Sequence, residues 1–232
     1  MLGFEENRIA VIFGSSGGIG KSLYEQIKNS NEFSKVIGVS RKNDPDFDIA
    51  SENAMKKIST EVSSHGKITL LFNATGYLSD ENNLPEKKTS QINDFYLKKS
   101  LFINTIGNAF LIKYFAPLMN HNGLSYFISL SARVSSIQDN RLGGWYSYRA
   151  SKAALNQLIK TASIEYKRKK SKSIFLSLHP GTVETKLSKP FLGNHERFST
   201  EEAAKNILNI YKSFDINASG SLVDYKGKII PF

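Results

Sequence analysis

Tyr148 and Lys152 stand four residues apart in the stretch Tyr146-Ser147-Tyr148-Arg149-Ala150-Ser151-Lys152, where an amphipathic helical run begins. On a helix, positions i and i+4 lie on one face. A phenol with its ordinary pKa of about 10 is a poor acid–base catalyst at neutral pH. An ammonium held beside it stabilises the phenolate and lowers that value. The spacing therefore suits a proton donor and its activator. It equally describes two polar groups on a solvated helix face, so its meaning depends on the elements around it.

The chain has 232 residues and no cysteine, which excludes disulfides and thiolate metal sites. Its four histidines, at 65, 121, 179 and 195, lack metal-ligand spacing, so no metal is expected. The length suits a single domain over residues 1–232. No apolar run reaches the ~20 residues of a membrane span. The opening segment Met1–Asn7 lacks a signal-peptide pattern. The expected location is the cytoplasm, with no membrane partner. The net charge of +10 raises a nucleic-acid partner. However, the basic residues are dispersed, and the densest run, 167–172, falls where a long helix should end and complements its dipole. No nucleic-acid partner is expected.

Short apolar runs read as strands at Arg8–Phe13, Lys35–Ser40, Ile68–Asn73, Leu124–Leu130 and Ser173–Leu178, with shorter candidates at Asp46–Ile49 and Ser221–Asp224. Helical spacing covers Gly18–Asn29, Ser51–Ser64 with Ser51 as N-cap, about Thr89 to Met119 with a break, Tyr146 to about Lys169, and Thr200–Ser213. This alternation predicts an α/β chain of the Rossmann type: a doubly wound, mostly parallel seven-stranded sheet with helices on both faces. Such sheets bind ligands at the carboxyl ends of their strands.

The unusual residues fall at those ends. The first strand runs into Gly14-Ser15-Ser16-Gly17-Gly18-Ile19-Gly20. Glycines there allow a tight turn and close approach of a phosphate to a helix N-terminus. Gly14, Ser16, Gly18, Ile19 and Gly20 are thus candidate dinucleotide contacts, although a glycine turn can be purely structural. The second strand ends in Ser40-Arg41-Lys42 without an acid. An Arg suits a 2′-phosphate, so NADP(H) is preferred and NAD(H) remains possible. Asp48 and Ile49 are placed to meet the adenine edge, or Asp48 is a turn residue. Asn73, Ala74 and Gly76 end the next strand, Gly76 letting the chain pass close to a cofactor. Asn104 lies in an apolar helix, either as a satisfied core amide or holding water beside Lys152. Pro180, Gly181, Val183 and Thr185 form a turn suited to the nicotinamide end.

Together these motifs closely resemble the short-chain dehydrogenase/reductase family. The resemblance covers nearly the whole chain in order: Gly14-x3-Gly18-Ile19-Gly20, Asn73-Ala74-Thr75-Gly76, Asn104-x2-Gly107, Tyr148-x3-Lys152 and Pro180-Gly181-x-Val183-x-Thr185. The stretch 139–148 and the ending 224–232 look most like small carbonyl reductases and C-factor-like signalling proteins. The resemblance implies hydride transfer between NADP(H) and a small-molecule carbonyl or alcohol. Tyr148 would move the proton, Lys152 would lower its pKa and bind the ribose, and Asn104 would anchor a relay water. It also implies a homodimer or homotetramer, joined by the Asn104 and Tyr148 helices.

One departure concerns the serine that polarises the substrate oxygen in the family. Aligned by the strand, its place falls on Ala132. Ser131 stands next to it, and counting back from Tyr148 by the family's common separation gives Ser135, so both are candidates. A short lid at about 186–199 brings Leu187, Phe191 and Leu192 as an apolar wall, with Trp145 and Tyr146 opposite. These residues equally suit packing on the core. A regulatory dinucleotide-binding protein with little catalysis is the alternative that Ala132 motivates.

Overall fold

The computed structural model describes residues 8–45, 47–81, 83–191 and 197–232; Leu192 and His195 lie outside the described residues. The first strand, β1 (Arg8–Phe13), is apolar and buried from Ile9 onward because both of its faces are covered. Ile9, Val11 and Phe13 enter one core, and Ala10 and Ile12 the other. Around it stand β2 (Lys35–Val39), β3 (Lys67–Asn73), β4 (Ser125–Leu130), β5 (Ser173–His179), β6 (Ser221–Asp224) and β7 (Ile229–Ile230). The sheet order is β2-β1-β3-β4-β5-β6-β7. Only the β6–β7 pair is antiparallel.

Two helical layers close the sheet. On one face, α1 (Gly18–Asn29) contributes Leu23 and Ile27, and α6 (Thr200–Ile210) contributes Ala204 and Ile207. On the other lie α2 (Glu52–Ser63), α4 (Gly107–Phe115) and α5 (Tyr146–Arg168), with Met55, Ile58, Leu111, Phe115, Leu155 and Ile159 in the core. Ser51 caps α2 as expected, its hydroxyl accepting from Ala54 N at 3.3 Å. This is the doubly wound α/β architecture, with the connections that hold the candidate site residues at the carboxyl ends of β1 to β5.

Two details differ from expectation, and one, the break in the helical run, agrees with it. The strand expected at Asp46–Ile49 is absent over its described residues. Phe47 N donates to Asp44 O, Ala50 N to Asp48 Oδ1 and Ser51 N to Asp48 O, each at 3.0 Å. Those local turns engage the N–H groups that a ladder would need. Phe47 and Ile49 are buried in the core as side chains. The seventh strand is β7 at the other edge. Secondly, the helical run 89–119 is divided: α3 (Asp94–Leu101), a π turn over Phe102–Ile106, then α4. Thirdly, Asp94–Leu118 is long and apolar enough by length and composition to cross a membrane. Here it lies against α5 and α2, with Asn104 and Asn108 turned inward.

The turn after β1 tolerates no side chain at Gly20. A Cβ there would overlap the Gly14 carbonyl oxygen and stand 2.9 Å from Gly14 C and 3.0 Å from Ala74 Cβ. The Gly14 backbone on one side and the rigid Ala74 methyl on the other leave no cheap relief. Gly20→Ala should lower unfolding stability by about 1–3 kcal/mol in urea denaturation; an unchanged midpoint would show that the turn can relax.

Candidate active site

The glycine turn places backbone, not side chains, at the start of α1. Gly14 and Gly18 have φ of 80° and 47°, and Gly14 N donates to Val39 O at 2.8 Å. Beside the turn, two serine hydroxyls are buried without a hydrogen-bond partner: Ser15 Oγ and Ser40 Oγ. Arg41 stands exposed next to Ser40. Unsatisfied hydroxyls at the ends of β1 and β2, one of them next to Arg41 in sequence, are groups that a phosphate would satisfy. Thr185 comes over the same turn, its Cγ2 3.2 Å from where a Gly18 Cβ would lie. Gly181, at φ 85°, faces the Phe198 ring at 2.9 Å from a Cβ position, and Val183 bridges to Phe198. Pro180 is half-buried in the same turn.

At the second strand end, Asp48 is exposed and closes its own turn, while Ile49 packs under α4. A Cβ on Gly107 would sit 2.8 Å from Ile49 Cγ1. Both side chains therefore have structural work here. Asn73 is fully engaged: Nδ2 donates to Asn108 Oδ1 at 2.8 Å, and Oδ1 accepts from Thr75 N at 3.0 Å and Thr75 Oγ1 at 2.6 Å. Ala74 N donates to Phe13 O at 2.9 Å, which continues the sheet into the loop.

Asn104 occupies the π turn and is completely buried. Its Oδ1 accepts from Tyr77 N at 2.9 Å; its Nδ2 donates to Tyr77 O at 2.8 Å and to Ser151 Oγ at 3.0 Å. The side chain is thus a satisfied core amide, and the backbone carbonyl accepts from Asn108 Nδ2 at 2.8 Å. A Cβ on Gly76 would lie 3.5 Å from Asn104 Oδ1 and 3.6 Å from Lys152 Nζ. Gly76 therefore separates the amide from the ammonium by little more than one backbone.

Tyr148 and Lys152 share the inner face of α5, both buried. Lys152 Nζ is 6.0 Å from the Tyr148 ring centroid and donates to Leu130 O at 2.9 Å. Burial lowers the Lys152 ammonium to about 8 and raises the Tyr148 phenol above its ordinary value. The expected lowering of Tyr148 by Lys152 is absent because desolvation dominates both groups.

Neither candidate serine is hydrogen-bonded to Tyr148 among the described residues. Ser131 Oγ donates to Asn156 Oδ1 at 2.8 Å. Ser135 Oγ donates to Ala132 O at 2.5 Å and accepts from Asn156 Nδ2 at 2.7 Å. Asn156 follows Lys152 by four on the same helix face, a spacing that would have revealed it. Glu86 carried no such signal. It is a buried carboxylate in the loop after β3, accepting from Ser147 N at 3.2 Å and from Ser147 Oγ at the start of α5. On the outer side, Trp145 meets Phe191 at 5.3 Å between ring centroids, while Tyr146 is exposed and Leu187 half-buried.

A family model described as "Enoyl-(Acyl carrier protein) reductase" matches residues 24–218. The chain is 29% identical over 179 residues to 1-hydroxy-2-glutathionyl-2-methyl-3-butene dehydrogenase of Rhodococcus sp. (strain AD45), covering 76% of this chain and 74% of that one. It is 25% identical over 136 residues to the C-signal protein of Myxococcus xanthus, covering 59% of this chain and 78% of that one. Among solved structures, NADPH-bound carbonyl reductase from chicken fatty liver superposes with a TM-score of 0.84 at 22% identity, covering 97% of this chain and 94% of that one. Carbonyl reductase Sniffer of D. melanogaster gives 0.83 at 22%, covering 97% and 99%.

The lowered Lys152 has a consequence for stability. Its folded pKa of about 8 lies below its ordinary 10.5, so the folded state carries the cost of a buried ammonium at low pH. Between about pH 8 and 10.5 the unfolded chain binds the extra proton, and stability contributed at this site rises with pH. Relative to Lys152→Met, the wild type should therefore gain stability across that window and show a constant offset below it. Urea midpoints of both proteins from pH 7 to 11 test this; a parallel pair of curves would contradict it.

Proposed function

Because this chain belongs to the short-chain dehydrogenase/reductase family of oxidoreductases, we propose that it is an NADP(H)-dependent carbonyl reductase or alcohol dehydrogenase. Tyr148 passes the proton to or from the substrate oxygen. The observation that carries this reading is the co-burial of Tyr148 and Lys152 at the carboxyl end of the sheet, beside a glycine turn with two unsatisfied hydroxyls. The bound nicotinamide cofactor would supply or accept the hydride. Gly14, Ser16, Gly18, Ile19 and Gly20 present the phosphate-binding turn, and Arg41 with Ser15 and Ser40 takes the 2′-phosphate. Asp48, Ile49, Asn73, Ala74 and Gly76 line the adenosine and ribose side, and Pro180, Gly181, Val183 and Thr185 the nicotinamide side. NADPH in the chicken enzyme's structure supports this cofactor choice.

Tyr148 needs its proton to be exchangeable while its pKa is high. In the direction of reduction this is favourable, because the neutral phenol is the proton donor. Lys152 then holds the ribose, and Asn104, its amide already satisfied, fixes the Tyr77 loop beside it. We assign the substrate lid to the expected segment at 186–199, of which Leu187 and Phe191 are among the described residues, and the single domain to the cytoplasm. The apolar side chains of Phe95, Phe102, Ile106 and Ile164 stand exposed on the α3–α4 stretch and α5, which supports a homodimer or homotetramer through those helices.

The second reading, a dinucleotide-binding regulatory protein with little turnover, is favoured by one observation. Ala132 offers no hydroxyl, and Ser131 and Ser135 direct their protons to internal acceptors. The partial likeness to the C-signal protein agrees with it.

Three variants separate these readings. Tyr148→Phe should cut NADPH-dependent carbonyl reduction by at least about 10²-fold while calorimetry still shows NADPH binding; full activity in this variant would sink the enzyme reading. Arg41→Ala should weaken NADPH about 10- to 100-fold and leave NADH unchanged; equal losses would remove the 2′-phosphate assignment. Ala132→Ser should raise kcat by up to about 10²-fold if a polarising hydroxyl is what the site lacks. No turnover in either wild type or Ala132→Ser would support the regulatory reading.

A further inference from the structure

Three consecutive residues before α5 have left-handed backbone: Gly143 at φ 63°, Gly144 at 65° and Trp145 at 54°. Glycine enters this region freely, but tryptophan does so at a steric cost. Strain of this kind persists where surrounding contacts over-determine it, and it concentrates at functional sites. Here the contacts are explicit. Arg149 uses its guanidinium on three backbone carbonyls, with Nε to Gly144 O at 2.9 Å, NH2 to Gly143 O at 3.0 Å and NH1 to Val134 O at 3.0 Å. Trp145 N donates to Glu86 O at 2.5 Å, and the Glu86 carboxylate receives both Ser147 N and Ser147 Oγ. A Cβ on Gly144 would press on Glu86 O at 3.3 Å, so the arch and the Glu86 loop fit only with glycine between them.

This clamp fixes one side chain. The Trp145 indole stands edge-to-face on Tyr148, with ring centroids 6.0 Å apart and planes at 77°. It stands edge-to-face on Phe191 as well, at 5.3 Å and 69°. Trp145 is only partly buried, so part of the indole is left for another group. The result is a corner of three aromatic rings at the proposed proton donor. Such a corner favours an aromatic ligand over an aliphatic one of equal area, because ring pairs gain beyond their burial.

We propose that Trp145 is a specificity-determining residue that selects carbonyl compounds carrying a flat aromatic group next to the reacting carbon. The proposal deepens the enzyme reading of Tyr148 and rests on it. Glu86 and Arg149 hold the backbone on which the indole stands.

Trp145 is the only tryptophan in the chain, so its emission reports occupancy of this corner without any turnover. With saturating NADP+ present, 2-naphthaldehyde should quench that emission saturably. Cyclohexanecarbaldehyde, read by competition, should bind about tenfold more weakly or worse. In parallel, kcat/KM with NADPH should favour the naphthaldehyde. Trp145→Leu should reduce that preference about tenfold, mainly through KM, and Trp145→Phe should restore most of it. Thermal melts by circular dichroism and NADPH affinity should be close to wild type in both variants. Absence of saturable quenching, equal binding of the two aldehydes, or an aryl preference that survives Trp145→Leu would overturn the proposal. Saturable, aryl-selective quenching with no reduction of either aldehyde would uphold the aromatic site and sink the enzyme reading alone.

Discussion

The buried amide of Asn104 holds the site together. Its oxygen and nitrogen close a two-bond clasp on the Tyr77 backbone in the loop after β3, and the same nitrogen reaches Ser151 on α5. Loop, π turn and α5 therefore meet at one side chain. Without it, the buried Tyr77 N–H and C=O would lose their partners, at about 1–3 kcal/mol for each group left unsatisfied. The clasp needs a particular backbone. A π turn over Phe102–Ile106 carries Asn104 in the middle of the helical run, and such turns recur where function reshapes a helix. From Asn104 O the polar path continues to Asn108, whose amide oxygen receives Asn73 and Ser129. The ends of β3 and β4 are thereby locked to the same joint.

From that joint the geometry of α5 follows. Its inner face presents Tyr148, Lys152 and Asn156 at steps of four. The first two are held apart from solvent, and the third anchors the hydroxyls behind them. Desolvation then sets the chemistry: it favours the neutral phenol and weakens the ammonium. A neutral, proton-bearing Tyr148 suits carbonyl reduction better than alcohol oxidation, which would require the phenolate first.

Much of this was legible in the chain. The buried strands β1, β3, β4 and β5 could be read because apolar runs on both faces leave few other conformations, and Ser51 showed its cap by type and place. The glycine turn was legible because its residues allow what other residues forbid. The strand expected at 46–49 failed because Asp44 and Asp48 offered the backbone nearer partners than a neighbouring strand. Ser131 and Ser135 could not be separated by counting, since each hydroxyl's direction is settled by Asn156, a residue far off in sequence. Glu86 left no trace at all: a lone carboxylate in a loop gains its role only when α5 arrives beside it. Local rules thus located the elements, and long-range partners decided what each side chain does.

The edge of the sheet beside β2 has an evolutionary consequence. No further strand pairs with β2 among the described residues; Asn43 Nδ2 instead covers the Gly38 carbonyl at 2.9 Å, and Phe47 and Ile49 plug the core as side chains. A hydrogen-bonded strand there would have fixed its length residue by residue, because a slip by one reverses every side chain. A plugged loop has no such register. Between Arg41 and Asp44 the chain is held by its own turn at Ser40 O and by the Asn43 bond to β2. The segment that would discriminate one dinucleotide from another is thus tied to the sheet by a turn and one side chain, so its exposed side chains can change in preference without shifting a strand register.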